Sequence, residues 1–236
     1  DMRKSGGSTV NRNSLKNKNT SLSAESVRRI HSVLRKALVC ATDDGILSTN
    51  VVSKIKRPDK PVVEEFQPSF YSVDEANELL RVCKGNILEV PVKLALFYGL
   101  RRSEVLGLRW SALNFDGDGL LTVNNAYVQC KVDDKYVDFP KPRAKSKSSM
   151  RSFDLDEDMR TLLLGHKSDI EKWRKKYKKA YNAKNLDYVC VNEMGNVIKP
   201  NYVIKNFKRL LEENNLRLIR IHDLRHTCSA FMLSKG

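Results

Sequence analysis

The 236-residue sequence predicts a mainly helical chain with a small antiparallel β-sheet, an α+β fold. Three observations lead there. Apolar residues recur at helical spacing in most stretches, and a central block between Leu120 and Leu155 changes to the alternation of strands. No internal repeat divides the chain, so the strands and helices read as one set of elements rather than a repeated unit.

Residues 1 to 20 are rich in Gly, Ser, Asn and Lys, with Ser5-Gly6-Gly7-Ser8 at the centre, and read as a loop or ragged start. A helix begins near Ser23: Val27, Ile30, Leu34, Ala37, Leu38 and Ala41 form its apolar stripe, and Gly45 stops it. One helix cannot bury its own stripe, so this N-terminal unit is expected to be incomplete or to lean on the next domain. Residues 57–68 hold three prolines and mixed charges and read as an extended interdomain linker. The organisation expected is therefore a partial helical domain over 1–58, a linker over 59–70 and a larger domain over 71–236.

In the larger domain, Ser72 and Glu75 have the spacing of a capping box for a helix reaching Val82. A second helix runs from Ile87, with Pro91 in its first turn, to Gly99. After the Asp116-Gly117-Asp118-Gly119 turn, Leu121, Val123, Tyr127 and Val128 suggest one strand. Residues 136–139 suggest a second and 150–155 a third. Asp156 opens a long basic helix containing Trp173 and ending near Tyr181, and 201–213 is another amphipathic helix. Asp223 is the expected N-terminal residue of a last helix, whose apolar side is Leu224, Cys228, Phe231 and Met232.

Charge narrows the partner. Lys and Arg number 43 against 28 Asp and Glu, a surplus of +15 that points to a polyanion, nucleic acid first. Residues 1–60 carry 13 basic and 5 acidic side chains, net +8, more than half of that surplus. Arg28, Arg29, Arg35 and Lys36 lie off the apolar stripe of the first helix, which suits a solvated face or a contact with the DNA backbone. A membrane partner is disfavoured, because no long apolar run or signal-type start is visible. The five cysteines are scattered, odd in number and without CxxC spacing, as in reduced thiols of a cytosolic protein, and they assemble no metal cluster with the four histidines.

Two stretches carry candidate chemistry. In Arg220-Ile221-His222-Asp223-Leu224-Arg225, His222 and Arg225 stand three positions apart, about one helical turn. A guanidinium fork there orients two phosphate oxygens, and an imidazole exchanges a proton near neutral pH. The same pattern occurs on solvated helix faces. In Gly99-Leu100-Arg101-Arg102-Ser103-Glu104, the glycine permits a sharp bend, so Arg101 sits where one helix ends and another begins. Arg101 and Glu104 also fit an ordinary ion pair across one turn.

Taken in order, Gly-Leu-Arg-x-Ser-Glu, then Leu-x-Leu-x-Trp, then Lys-x-Lys-Ser-Ser-x-Arg before a strand, then His-x-Leu-Arg-His resemble the tyrosine recombinases. They are most similar to the integrases of conjugative transposons and temperate phages of Gram-positive bacteria. The resemblance covers residue 70 onward, with the first helix similar to part of that family's core-site-binding domain. It implies that Arg101 and Arg225 are the two catalytic arginines, and His222 the histidine of the second motif. The catalytic lysine would be Lys145, with Lys147 as the alternative in the same turn and otherwise a phosphate contact. It further implies double-stranded DNA as substrate, a homotetramer on paired core sites, accessory DNA-bending or directionality factors, and a bacterial cytoplasmic, nucleoid-associated setting. No metal, ATP or other cofactor is implied. The family's nucleophile is a tyrosine beyond His-x-x-Arg, whereas Tyr71, Tyr98, Tyr127, Tyr136, Tyr177, Tyr181, Tyr188 and Tyr202 all precede His222. The sequence is thus expected to be a fragment that binds DNA without cutting it. A non-catalytic DNA-binding protein of the same fold and a type IB topoisomerase are the alternatives.

Overall fold

A computed structural model describes residues 22, 24–55, 70–142 and 150–234. The chain divides into two compact units, Asp1–Gln67 and Pro68–Gly236.

The described part of the first unit is helix α1 (Ala24–Asp43), followed by a short 3-10 turn at Val51–Lys54. Gly45 ends the helix in the left-handed region, φ 72°, as the sequence suggested. Asn50 fastens the turn back to the helix, accepting from the Val52 amide and donating to the Arg35 carbonyl. Ile30 and Leu34, on the apolar stripe, are exposed. Arg28 departs from the expected basic face: it is only 9% exposed, whereas Arg29, Arg35 and Lys36 are open to solvent.

The second unit carries six helices among the described residues. α2 (Val73–Cys83) opens on the expected capping box, Ser72 Oγ accepting from the Glu75 amide and the Glu75 carboxylate from the Ser72 amide. α3 (Glu89–Phe97) ends ahead of Gly99, whose φ of 57° makes the bend that leads to the short helix α4 (Arg102–Gly107). Strands β1 (Leu113–Asn114), β2 (Leu120–Val123) and β5 (Arg151–Asp154) form an antiparallel sheet in the order β1-β2-β5. Strands β3 (Asn125–Val132) and β4 (Lys135–Pro142) form a separate antiparallel hairpin. Helices α5 (Glu157–Tyr177), α6 (Pro200–Glu213) and α7 (Asp223–Ser234) complete the unit. Tyr71, Leu79, Leu94, Leu106, Leu121, Leu163, Phe207, Leu211 and Leu224 fill one core between the helices and the three-stranded sheet. No helix among the described residues is long and apolar enough to cross a membrane.

Three expectations need correction. The strand expected to run from Leu121 through Val128 is two strands in different sheets, parted at Asn124. Gly107 explains the departure of β3: a Cβ there would stand 2.6 Å from the Ala126 Cα, so the helix and the strand touch backbone to backbone. The basic helix stops at Tyr177 rather than near Tyr181, because Lys178 takes a positive φ of 46° and the chain continues as a 3-10 turn. On α7, Met232 is 58% exposed rather than part of the apolar side.

Gly107→Ala forces apart backbone that has no room to move. The substitution is expected to cost about 1–3 kcal/mol, as overpacking in a well-filled interior does. Urea unfolding of the second unit would show it, and an unchanged midpoint would mean that α4 and β3 separate freely.

Candidate active site

α4 places the first arginine. Arg101 is its N-cap in extended conformation, φ −67° and ψ 149°, and Glu104 at the third helical position reaches back to it. Glu104 accepts from the Arg101 amide at 2.8 Å and from Arg101 Nη1 at 3.0 Å. Its side chain is 1% exposed, while that of Arg101 is 46% exposed. A carboxylate so buried keeps its charge only when hydrogen-bonded. A second guanidinium supplies the further bond: Arg151 on β5 donates through Nη2 to Glu104 Oε2 at 2.6 Å. Burial pushes the Glu104 carboxyl upward, but the bonds from Arg101 and Arg151 outweigh it and hold it below the ordinary value. The ion pair read from the sequence is therefore present, and it is shared.

α7 brings the second motif. The Asp223 carboxylate accepts from the Arg220 amide at 2.8 Å and from Arg220 Nη2 at 2.7 Å, repeating the arginine–carboxylate arrangement that opens α4. Asp223 thus braces the turn before the helix, and His222 lies in that turn rather than on the helix itself. The Arg225 amide donates to the His222 carbonyl, so the two residues stay one turn apart. Thr227 locks α7 to the start of the unit: its hydroxyl accepts from the Tyr71 amide and donates to the Asp223 carbonyl.

The two motifs meet at Gly99. Arg225 Nη1 donates to the Gly99 carbonyl, two residues before Arg101, although the arginines are 124 positions apart in the sequence (225 − 101). A Cβ at Gly99 would approach Cys228 Sγ to 3.3 Å and Arg225 Cγ to 3.8 Å, so the missing side chain leaves room for that contact. Burial lowers the Arg225 pKa, and the positive charges of Arg101 and Arg151 lower it further. Three guanidinium groups are thus close enough to feel one another. His222 is exposed, with its ring edge-on to His226 at 5.4 Å between centroids. Burial of part of the ring, then His226 and Arg220, lower its pKa, so the neutral imidazole prevails at neutral pH and can accept a proton. Such a cluster suits a phosphodiester, whose non-bridging oxygens gather negative charge on attack.

Lys145 and Lys147 lie in 143–149, outside the described residues. The strands on either side are described: β5 begins with Arg151 opposite Val123, and β4 ends with Pro142 opposite Asn125. Of the proposed DNA contacts in the first unit, Arg29 is paired to Glu25 at 3.5 Å. Arg35 and Lys36 border a shallow surface cavity with His31, Ser32 and Val39.

Sequence reasoning gave no role to Arg151, although that residue closes the Lys-x-Lys-Ser-Ser-x-Arg motif. Nor did it find the cluster in which Lys199, the N-cap of α6, donates to the Tyr127 hydroxyl at 2.8 Å and to Asp138. That cluster ties the hairpin to α6 across sequence distances no local pattern reports.

Fold and site together define a helical α+β protein in which the Arg225 side chain reaches the bend that leads to Arg101. Residues 70–236 match the phage integrase family, and the chain belongs to it. A tyrosine recombinase XerC-like protein of Caldanaerobacter subterraneus subsp. tengcongensis is 26% identical over 223 residues, 91% of this chain and 56% of that protein. The chain thus spans about half the length of the curated relatives it matches. The Tn1549 transposon integrase, solved with a circular intermediate DNA, superposes with a TM-score of 0.69 at 16% identity, covering 91% of this chain and 68% of that one. A lambda integrase tetramer bound to a Holliday junction gives 0.54 at 17%, covering 90% and 53%. These likenesses establish the tyrosine recombinase fold.

Proposed function

We propose that the protein is the DNA-binding and catalytic body of a site-specific recombinase, the integrase of a conjugative transposon or phage. The observation that carries this is the bond from Arg225 to the Gly99 carbonyl, which brings Arg225 beside the start of α4. Arg101 and Arg225 hold the non-bridging oxygens of the scissile phosphate, and His222 supports the phosphate and takes the nucleophile's proton. A tyrosine oxygen attacks phosphorus, the bond to the 5′ oxygen breaks, and Lys145, or Lys147 in its place, gives that oxygen a proton. A 3′-phosphotyrosine then conserves the bond energy for rejoining to a second strand.

Paired sites, strand exchange and a four-way junction call for four protomers, with DNA-bending or directionality factors as further partners, on nucleoid DNA in the bacterial cytoplasm. The relatives support this reading, since one is a transposon integrase on DNA and another a tetramer on a junction. The test is recombination between two cognate sites by the full-length protein. Relaxation of a single supercoiled plasmid without exchange would favour a type IB topoisomerase instead.

Binding is expected to be strongly salt-dependent. If Arg29, Arg35, Lys36 and the basic surface of the second unit each neutralise a phosphate, log K falls against log salt with a slope of about −0.9 per contact. A slope flatter than about −2 between low and physiological salt would remove the multi-contact grip.

A further inference from the structure

We propose that Arg151 is a positioning residue that holds Glu104 so that the Arg101 fork stays open for the phosphate. The inference rests on the reading of Arg101 as a phosphate ligand. Glu104 has two carboxylate oxygens. Oε1 accepts from Arg101 Nη1, while Oε2 accepts from the Arg101 amide and from Arg151 Nη2. Arg101 therefore meets the carboxylate through one nitrogen of its guanidinium, and among the described residues its Nε and Nη2 make no hydrogen bond. A guanidinium next to a buried carboxylate favours the two-point pairing that matches its fork. Arg151 stands in the way by occupying Oε2.

Arg151 itself is well fixed. Its backbone pairs with Val123 in the sheet, and its guanidinium carbon lies 5.6 Å from the Phe153 ring centroid. Its side chain is 31% exposed, against 46% for Arg101, so Arg101 is the more open of the pair. Removing Arg151 lets Arg101 rotate onto both carboxylate oxygens, and each bond made there is lost to the phosphate.

The test uses the full-length protein carrying Arg151→Gln, Arg101→Lys or both, with two readouts. The first is reactivity of Arg101 with phenylglyoxal in the absence of DNA, located by mass spectrometry. An Arg101 drawn onto Glu104 is expected to react several-fold more slowly in the Arg151→Gln protein. The second is cleavage of a nicked cognate site, where Arg151→Gln is expected to lower the rate about tenfold or more with little change in binding. The double variant should fall no further than Arg101→Lys alone, because both changes act on one group.

Unchanged Arg101 reactivity overturns the proposal, and so does an additive double variant. A loss of DNA affinity as large as the loss of rate would make Arg151 a phosphate anchor and overturn it as well. Thermal melting checks the fold. If Arg151→Gln is unfolded at the assay temperature, Arg151→Lys replaces it, with a smaller fall in Arg101 reactivity expected and the same non-additivity required. If the wild-type protein forms no adduct, the recombinase reading fails, while the reactivity of Arg101 still decides this inference.

Discussion

Replacing Arg101 or Arg225 by lysine is expected to lower DNA cleavage by the full-length protein about a hundredfold to a thousandfold, the cost of removing one preorganised donor from a developing oxyanion. A lysine keeps the charge at either site but offers a single ammonium where the guanidinium offers a planar fork. At Arg225 the loss is compounded, since that side chain must satisfy the Gly99 carbonyl while addressing the phosphate, and one ammonium cannot take both geometries. Binding should change little, because a recombinase holds its site through many backbone contacts and each arginine contributes one. The measurement is adduct formation on a nicked site beside a gel-shift affinity for the same DNA. If affinity falls as far as the rate, the two arginines are anchors and the catalytic reading is lost. The effect should also be smaller when one non-bridging oxygen is replaced by a neutral methyl group, since less charge then develops for the arginines to meet.

Much of the fold could be read from local pattern. The capping box at Ser72 and Glu75, the stop at Gly45 and the bend at Gly99 are signals contained within a few residues, and the structure realises each of them. The division of β2 from β3 could not be read, because it depends on Gly107 meeting Ala126 from another element. The position of His222 has the same origin. Its spacing from Arg225 fits a helix, but the Asp223 carboxylate braces the preceding turn through Arg220, so His222 stays in that turn while the helix begins at Asp223 as expected.

The candidate site divides along the same line. Arg101 was visible with its i+3 carboxylate and Arg225 with the histidine three positions before it, and an ordinary ion pair in the one case and a solvated helix face in the other were sufficient accounts. What joins them is a bond from a side chain to a backbone carbonyl across the unit, which no spacing rule contains. Arg151 was missed because its partner, Glu104, lies 47 positions away on a different element. Arg28 shows the converse error: a basic residue counted on an open face, yet nearly withdrawn from solvent.

Residues 1–236 alone are expected to bind a cognate site and to form no covalent adduct with it. Cleavage needs a phenolic oxygen in line with the leaving group, and placement of that kind supplies much of the rate. The eight tyrosines are all described, and four of their hydroxyls are hydrogen-bonded to other groups. Tyr71 donates to the Arg217 carbonyl, Tyr98 to Asp156 and Tyr177 to Glu193. Tyr127 is engaged by Lys199, Tyr181 is buried, and Tyr188 lies beneath the Arg109 guanidinium, 3.6 Å from its ring centroid.

Burial raises the Tyr71 hydroxyl to about 12 and pushes Tyr98 up as well, so both are poorer sources of phenolate than a free tyrosine. Tyr136 is exposed but pairs with Lys131 near the tip of the hairpin, roughly 20 Å along β3 from Asn125 at 3.3–3.4 Å per residue. Tyr202 is exposed on α6, where it borders a cavity with Asn86 and Ile87. Ile204 and Phe207 of the same helix border the one that includes His222. Positions 202 and 204 lie about 200° apart around a helix, so the Tyr202 ring faces away from His222.

We therefore expect no nucleophile among these eight tyrosines. The assay is a nicked duplex that traps phosphotyrosine, with residues 1–236 in one arm and the full-length protein in the other. A gel shift without an adduct is the expected result in the first arm. An adduct there, mapped by peptide sequencing to one of the eight tyrosines, would require the active site to be redrawn around that residue.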